Sequence, residues 1–89
     1  MNRLDRPREK RLADHVLREW AQGIQPRLAH AYVGWAVQEN LTPQGPMPEV
    51  AIVAGWGNHV RASGTSWPEA ANKAIRRMEG TLAEWDFKG

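Results

Sequence analysis

The sequence predicts an α+β domain in which a three-stranded antiparallel sheet carries two helices on one face, in the order α-β-β-β-α. Three observations predict it: an early run with helical spacing of apolar residues, two short β-rich runs around a glycine–asparagine pair, and a capped amphipathic helix near the end. The 89 residues suffice for one domain with a modest core. We assign residues 1–7 to a flexible N-terminus and residues 8–89 to this single small domain.

The first helix is predicted from Arg8 to about Gln22, with Gly23 as its stop signal. Its apolar residues recur at helical spacing: Leu12, Ala13, Val16, Leu17 and Trp20. Residues 1–30 hold seven basic and four acidic side chains. Two interpretations of this excess stay open. The charges form a solvated helix face, or they follow a phosphate backbone.

Residues 28–40 fit either a helix or a strand. As a helix, one face would carry Leu28, Ala31, Tyr32, Trp35 and Ala36. As a strand, one side would carry Ala31, Val33, Trp35 and Val37. The β-branched and aromatic composition favours the strand, and a third strand gives two helices a better platform. The following residues 42–48, with three prolines and a glycine, are predicted to form an irregular loop.

A β-hairpin is predicted from Val50 to Thr65, with the two-residue turn Gly57-Asn58. In that register Trp56 lies opposite His59. One row is then small and apolar, and we assign it to the helices: Ala51, Val53, Gly55, Val60, Ala62 and Gly64. The other row, assigned to the open sheet face, contains Val50, Ile52, Ala54, Trp56, His59, Arg61, Ser63 and Thr65. A slip of one residue would reverse this assignment.

The second helix begins with a capping box. The Ser66 hydroxyl is expected to accept from the Glu69 amide, and the Glu69 carboxylate to reach back to Ser66. Pro68 suits the first helical turn. Downstream, one apolar stripe contains Ala71, Ile75, Met78, Leu82 and Trp85. Gly80 lies off the stripe and weakens the helix by up to about 1 kcal/mol relative to alanine.

The run from Ala62 to Ala74 resembles a signature of the double-stranded-RNA-binding domain. That signature reads glycine-x-glycine-x-serine followed by lysine-lysine-glutamate-alanine-lysine-asparagine. The agreeing positions are Gly64, Ser66, Glu69, Ala70, Asn72 and Ala74. Gly45-Pro46 is also similar to the glycine–proline between the family's first two strands. The resemblance covers roughly residues 8–83 and implies the α-β-β-β-α fold.

The chain departs from the family where the family binds RNA. In the family, lysines at the start of the second helix bind phosphates of the duplex. Their positions are occupied here by Trp67, Pro68 and Ala71. The loop histidine that reads the minor groove is replaced by Met47 and Pro48. The resemblance therefore implies the fold and argues against the family's RNA-binding activity.

No pattern predicts an enzyme, a metal site or a cofactor. The chain has no cysteine, its three histidines show no ligand spacing, and no serine–histidine–acid order or phosphate-binding glycine loop occurs. No apolar run is long enough to cross a membrane, and a signal-peptide core is missing. We therefore expect a cytoplasmic protein that binds no cofactor, no metal and no membrane.

Two functions follow. The first is a non-enzymatic interaction module, such as a small accessory, regulatory or inhibitory protein of phages or mobile elements. It would bind another protein, or itself as a homodimer, through the open sheet face or the edge of the third strand. Its candidate partner-binding residues are Ile52, Trp56, His59, Arg61 and Trp67.

For two of these residues a structural role stays open. Trp56 could instead close the end of the core, and Trp67 could pack on Leu82 or the loop. The second function is nucleic-acid binding. Its candidate residues are Arg8, Lys10, Arg11, Arg18, Lys73, Arg76 and Arg77.

Overall fold

The computed structural model describes residues 5–28, 32–55 and 57–88, and the side chains of residues 7–28, 32–55 and 57–83. The elements are α1 (Asp5–Ile24), a 3-10 turn (Gln25–Leu28), β1 (Val33–Thr42), β2 (Gly45–Ala54), β3 (Asn58–Ser63) and α2 (Trp67–Lys88). The strands form one antiparallel sheet in the order β1-β2-β3. The α-β-β-β-α prediction is thus confirmed.

The first helix begins earlier than predicted. It starts at Asp5, so Pro7 lies in its first turn, where the missing N–H of proline costs nothing. Residues 5–7 are therefore helical rather than part of an N-terminal tail. The helix continues through Gly23 to Ile24.

Residues 33–42 form the first strand, which confirms the choice of strand over helix for this segment. Val33, Trp35 and Val37 pack against the core, as the alternation predicts. Leu28 belongs to the 3-10 turn and is also buried in the core.

The predicted loop at residues 42–48 is wrong. Thr42 pairs with Gly45, so only Pro43 and Gln44 turn the chain, and β2 contains both Pro46 and Pro48. The backbone alternation explains why the prolines fit. The Pro48 carbonyl accepts from Gly64 N, so even-numbered residues of β2 direct their backbone groups toward β3. A missing N–H there removes no bond to β1.

The hairpin register between β2 and β3 also differs from the prediction. The loop is Gly55–Gly57, it closes on the pair Ala54–Asn58, and both glycines have positive φ (64° and 94°). Val50 and Ile52 therefore lie opposite Ala62 and Val60. The observed register differs from the predicted one by an odd number of residues, and such a shift exchanges the two faces of one strand relative to the other. The side chains of β3 keep their predicted faces, whereas those of β2 lie on the faces opposite to the predicted ones.

The core lies between the sheet and the two helices. Helix α2 packs across β2 and β3, and α1 packs against α2 and β1. The largest fully buried side chains are Trp67, Leu17, Ile52, Met78 and Val50. Placing the bulkier row of β2 inward buries more apolar area than the predicted row of Ala51 and Val53 would, which favours the observed register.

The start of α2 confirms the predicted cap and corrects one half of it. The Glu69 amide donates to Ser66 Oγ at 3.3 Å. The Glu69 carboxylate, however, accepts from the amide (2.7 Å) and hydroxyl (2.6 Å) of Thr65, not from Ser66. Of the predicted stripe, Ala71, Met78 and Leu82 are buried. Ile75 is half-buried, and the Trp85 side chain lies outside the described residues.

Three tryptophan side chains each link two elements through the indole N–H. The bonds run from Trp35 to Asp14 Oδ1 (2.9 Å), from Trp20 to Glu79 Oε2 (3.1 Å) and from Trp67 to the Gln38 carbonyl (2.9 Å). They join β1 to α1, α1 to α2, and α2 to β1. Each indole therefore packs on the core and also fixes the position of a neighbouring element.

Candidate interaction surfaces

The sheet has one face that no described element covers, which we call the open face. The pairing places Gly34 beside Val53 and His59, and Ala36 beside Ala51 and Arg61. The centre of the open face is small and apolar: Gly34, Ala36, Ala51 and Val53. The rim carries Tyr32, His59 and Arg61, which are all exposed.

Tyr32 lies on the open face because Gly34 has no side chain. A Cβ built on Gly34 would overlap the Tyr32 hydroxyl oxygen, so the phenol ring occupies the space above the glycine. The ring is nevertheless 69% exposed. A large aromatic ring held against a flat sheet is a typical anchor for a protein partner.

Arg61 has a defined position on the same face. Its Nε lies 4.0 Å from Glu49 Oε2, and Glu49 itself is buried. The Arg61 side chain is otherwise 64% exposed, so the guanidinium remains accessible.

The predicted partner-binding residues are only partly brought together. His59 and Arg61 lie on the open face, as predicted. Ile52 is wrong as a surface residue: it is fully buried under the helices, because the register turns β2 over. Trp56 lies outside the described residues. The sequence-based choice also omitted Ala51 and Val53, which lie on the open face. The two glycines flanking Trp56 were the signal for them, because they permit a longer loop that would place the other row of β2 on that face.

Trp67 is also wrong as an exposed contact. Its side chain is 1% exposed, it donates to the Gln38 carbonyl, and Lys10 Nζ lies 4.9 Å from the centre of its ring. The residue therefore fills the end of the core beneath a cation. The alternative structural role of Trp67 is therefore the correct one: its ring belongs to the same core cluster as Leu82, and its N–H bonds to β1.

The basic residues proposed for nucleic-acid binding form two separate groups. Lys73 Nζ donates to the Ser63 carbonyl at 3.3 Å, and Arg77 donates to the Arg61 carbonyl, so both lie along the outer edge of β3. Lys10, Arg11 and Arg18 lie at the opposite side of the domain, between α1 and β1. Arg8 is exposed on α1 three residues before Arg11 but does not line the space between α1 and β1, and Arg76 is exposed and contributes to neither group.

The space between α1 and β1 is a groove of about 520 Å³, which we call the α1–β1 groove. Its lining comprises Lys10, Arg11, Asp14, His15, Arg18, Trp35 and Val37. Arg18 donates to Asp14 Oδ2 at 2.8 Å, and His15 Nε2 lies 3.1 Å from Glu19 Oε2. The spacing of Arg11, His15 and Arg18 by four and three residues indicates one side of a helix. This spacing is the sequence signal that could have predicted a basic surface on one side of α1.

The carboxyl of Glu69 has a pKa that its surroundings change. Its pKa lies below its ordinary value, chiefly because the Thr65 hydroxyl and then the Thr65 amide donate to it, with Lys73 attracting its charge more weakly. This carboxylate holds the strand–helix junction rather than a ligand.

Among the described residues, no three histidine, cysteine, aspartate or glutamate side chains converge to hold a metal ion. The described helices contain no segment long and apolar enough to cross a membrane. The chain matches no protein-family model, no curated protein and no solved structure.

Proposed function

We propose that this chain is a non-enzymatic protein-interaction module, a small cytoplasmic accessory, regulatory or inhibitory protein that binds a partner protein through its open face. The observation that carries the proposal is the composition of that face. Its centre is small and apolar, and its rim carries an exposed tyrosine and an exposed arginine.

Small central side chains allow close approach of a second protein surface. Ala36 and Ala51 are lateral neighbours at the middle of the sheet, so a partner there would meet backbone and methyl groups rather than long solvated chains. Tyr32 and Arg61 belong to residue types that dominate binding energy when they become buried at an interface. The partner is a different protein or a second copy of this chain.

The test places a charge at the centre of the open face. Ala51→Glu introduces a carboxylate between Ala36 and Arg61, whereas Asn72→Glu adds the same charge on the exposed side of α2. Circular dichroism would check that both variants fold. Sedimentation velocity would measure self-association, and quantitative mass spectrometry would compare the proteins that each variant retains from an extract of the source organism.

The proposal predicts that Ala51→Glu loses a self-association or a retained protein that wild type and Asn72→Glu both keep. A monomeric wild type whose retained proteins are the same for both variants would contradict it.

Nucleic-acid binding is the second candidate function. It is supported by the alignment of Arg8, Arg11 and Arg18 along one exposed side of α1. Retention of duplex RNA in a gel shift that falls steeply between low and moderate salt, and that Arg8→Glu removes, would favour it. Retention that is absent at low salt excludes it.

A further inference from the structure

The two edges of the sheet differ in whether their backbone groups are covered. On β3, the carbonyls of Arg61 and Ser63 accept from Arg77 and Lys73 of α2. Cationic side chains that bond an edge in this way block the addition of another strand. The edge of β3, which the sequence suggested as a pairing edge, is therefore closed along these residues.

The outer edge of β1 is open as far as the described residues are concerned. The Tyr32 carbonyl accepts from Gly55 N at 2.8 Å, so even-numbered residues of this segment direct their backbone groups toward β2. The backbone groups of Val33, Trp35 and Val37 consequently point away from the sheet. Among the described residues none bonds to them, and β1 is an outermost strand of ten residues.

The α1–β1 groove lies directly beside this edge. The Trp35 and Val37 side chains line it, and both face the helix side of the sheet. A strand added to β1 would extend the sheet there. Every second side chain of that strand would then project into the groove.

The charge of the groove favours acidic side chains. The Asp14 carboxylate is already satisfied, because one oxygen accepts from Trp35 and the other from Arg18. Arg11 is exposed and makes no bond with another described residue, and Lys10 lies over the Trp67 ring with its charge accessible to solvent. These two cations can therefore pair with an incoming carboxylate without breaking an existing ion pair.

We infer that the edge of β1 binds an extended acidic segment of a partner protein, which adds as a fourth strand and directs alternate Asp or Glu side chains to Lys10 and Arg11. This inference rests on the proposed function as an interaction module and names the chemistry of one partner. A polypeptide fits better than a nucleic acid, because only a polypeptide supplies the alternating N–H and C=O groups that an open strand edge pairs with.

The experiment uses a synthetic peptide with blocked ends and the sequence Thr-Glu-Val-Glu-Val-Glu-Val-Thr. Its matched controls carry lysine in place of glutamate, or N-methyl groups that remove alternate backbone donors. Binding is followed by ¹⁵N–¹H NMR titration of the full chain. The protein variants are Arg11→Glu in the groove, Arg76→Glu as an equal charge reversal on α2, and Ala51→Glu on the open face.

The inference predicts that the acidic peptide shifts the amides of Val33, Trp35 and Val37. Binding should weaken at least about tenfold on Arg11→Glu, the loss of one good charge pair. The lysine and N-methyl peptides should not bind, while Arg76→Glu and Ala51→Glu bind as wild type does.

Four results would overturn the inference. They are no binding at about 1 mM peptide, which would detect even a millimolar Kd; shifts confined to the open face; binding that survives N-methylation; and occupation of the groove by duplex RNA rather than the peptide. If the peptide fails while Ala51→Glu still removes a retained protein, the edge inference falls and the interaction function stands. If Ala51→Glu removes nothing while the peptide binds, the open face is the part that falls.

Discussion

The indole of Trp35 in β1 donates to the Asp14 carboxylate of α1 at 2.9 Å, across the wall of the α1–β1 groove. The same carboxylate accepts from Arg18 at 2.8 Å. One side chain thus anchors the helix to an edge strand and neutralises a cation of the groove. The pair therefore helps to hold α1 beside the edge of β1.

A double-mutant cycle measures the contribution of that pair. Trp35→Phe removes the donor, and Asp14→Ala removes the acceptor. We expect a coupling of about 1.5 kcal/mol in the free energy of unfolding, the lower end of the range for a hydrogen bond to a charged group, because the site is only part-buried. The control combines Trp35→Phe with Glu19→Ala, whose effects should add. A coupling near zero for the first pair would show that the bond does not hold α1.

Gly64 is needed at the junction between β3 and α2. A Cβ there would lie 3.0 Å from Glu69 Oε1 and 3.1 Å from the Ala70 amide nitrogen. We expect Gly64→Ala to destabilise the domain by about 1–3 kcal/mol in urea unfolding, because the helix backbone must move. Gly80→Ala is the matched control, since a Cβ at Gly80 meets nothing within 4 Å. It should stabilise by up to about 1 kcal/mol, and equal effects of the two changes would contradict this account.

The lowered pKa of Glu69 makes the stability of the junction depend on pH. A depressed carboxyl pKa contributes stability that is fully present above the unfolded-state pKa, about 4.3 for glutamate, and is lost as the pH falls through the lower folded-state value. The melting temperature of wild type should therefore exceed that of Glu69→Gln at pH 7. The difference should shrink once the pH falls below the unfolded-state pKa and close as it passes through the lower folded-state pKa. Thr65→Val, which lacks the hydroxyl donor, should reduce this pH dependence, and a pH-independent difference would refute the assignment.

Lys73 and Arg77 are predicted to keep β3 from pairing with other chains. Replacing both with methionine preserves the aliphatic stems but exposes the carbonyls of Ser63 and Arg61. The double variant should associate more strongly with rising concentration than wild type in sedimentation velocity. Arg76→Met, next to Arg77 but absent from this edge, should behave as wild type does. Identical sedimentation of the double variant and wild type would show that the edge is blocked in another way.

Local sequence patterns predicted the helices and strands but not the register and packing between them. The Ser66 cap and the apolar alternation of residues 33–37 are set by neighbours in sequence, and both were predicted. The hairpin register was not, because Gly55, Gly57 and Asn58 all tolerate positive φ and therefore permit more than one loop. Burial of Ile52 and Val50 beneath the helices decides between the loops, and that is a tertiary effect.

The two sheet edges were also harder to predict, because their hydrogen bonding depends on tertiary packing. In the sequence, Pro46 and Pro48 indicate a loop. The structure shows that their backbone nitrogens face away from β1, so both prolines fit in β2. Likewise, Lys73 and Arg77 read as solvated cations in the sequence. Only the packing of α2 on β3 places them on edge carbonyls.

Residue-resolved amide hydrogen exchange along β1 tests the central claim most directly. The account predicts an alternating pattern: slow exchange for Gly34, Ala36 and Gln38, whose amides face β2, and fast exchange for Val33, Trp35 and Val37, whose amides face the open edge. Uniform protection along the strand, or the opposite alternation, would contradict an open β1 edge.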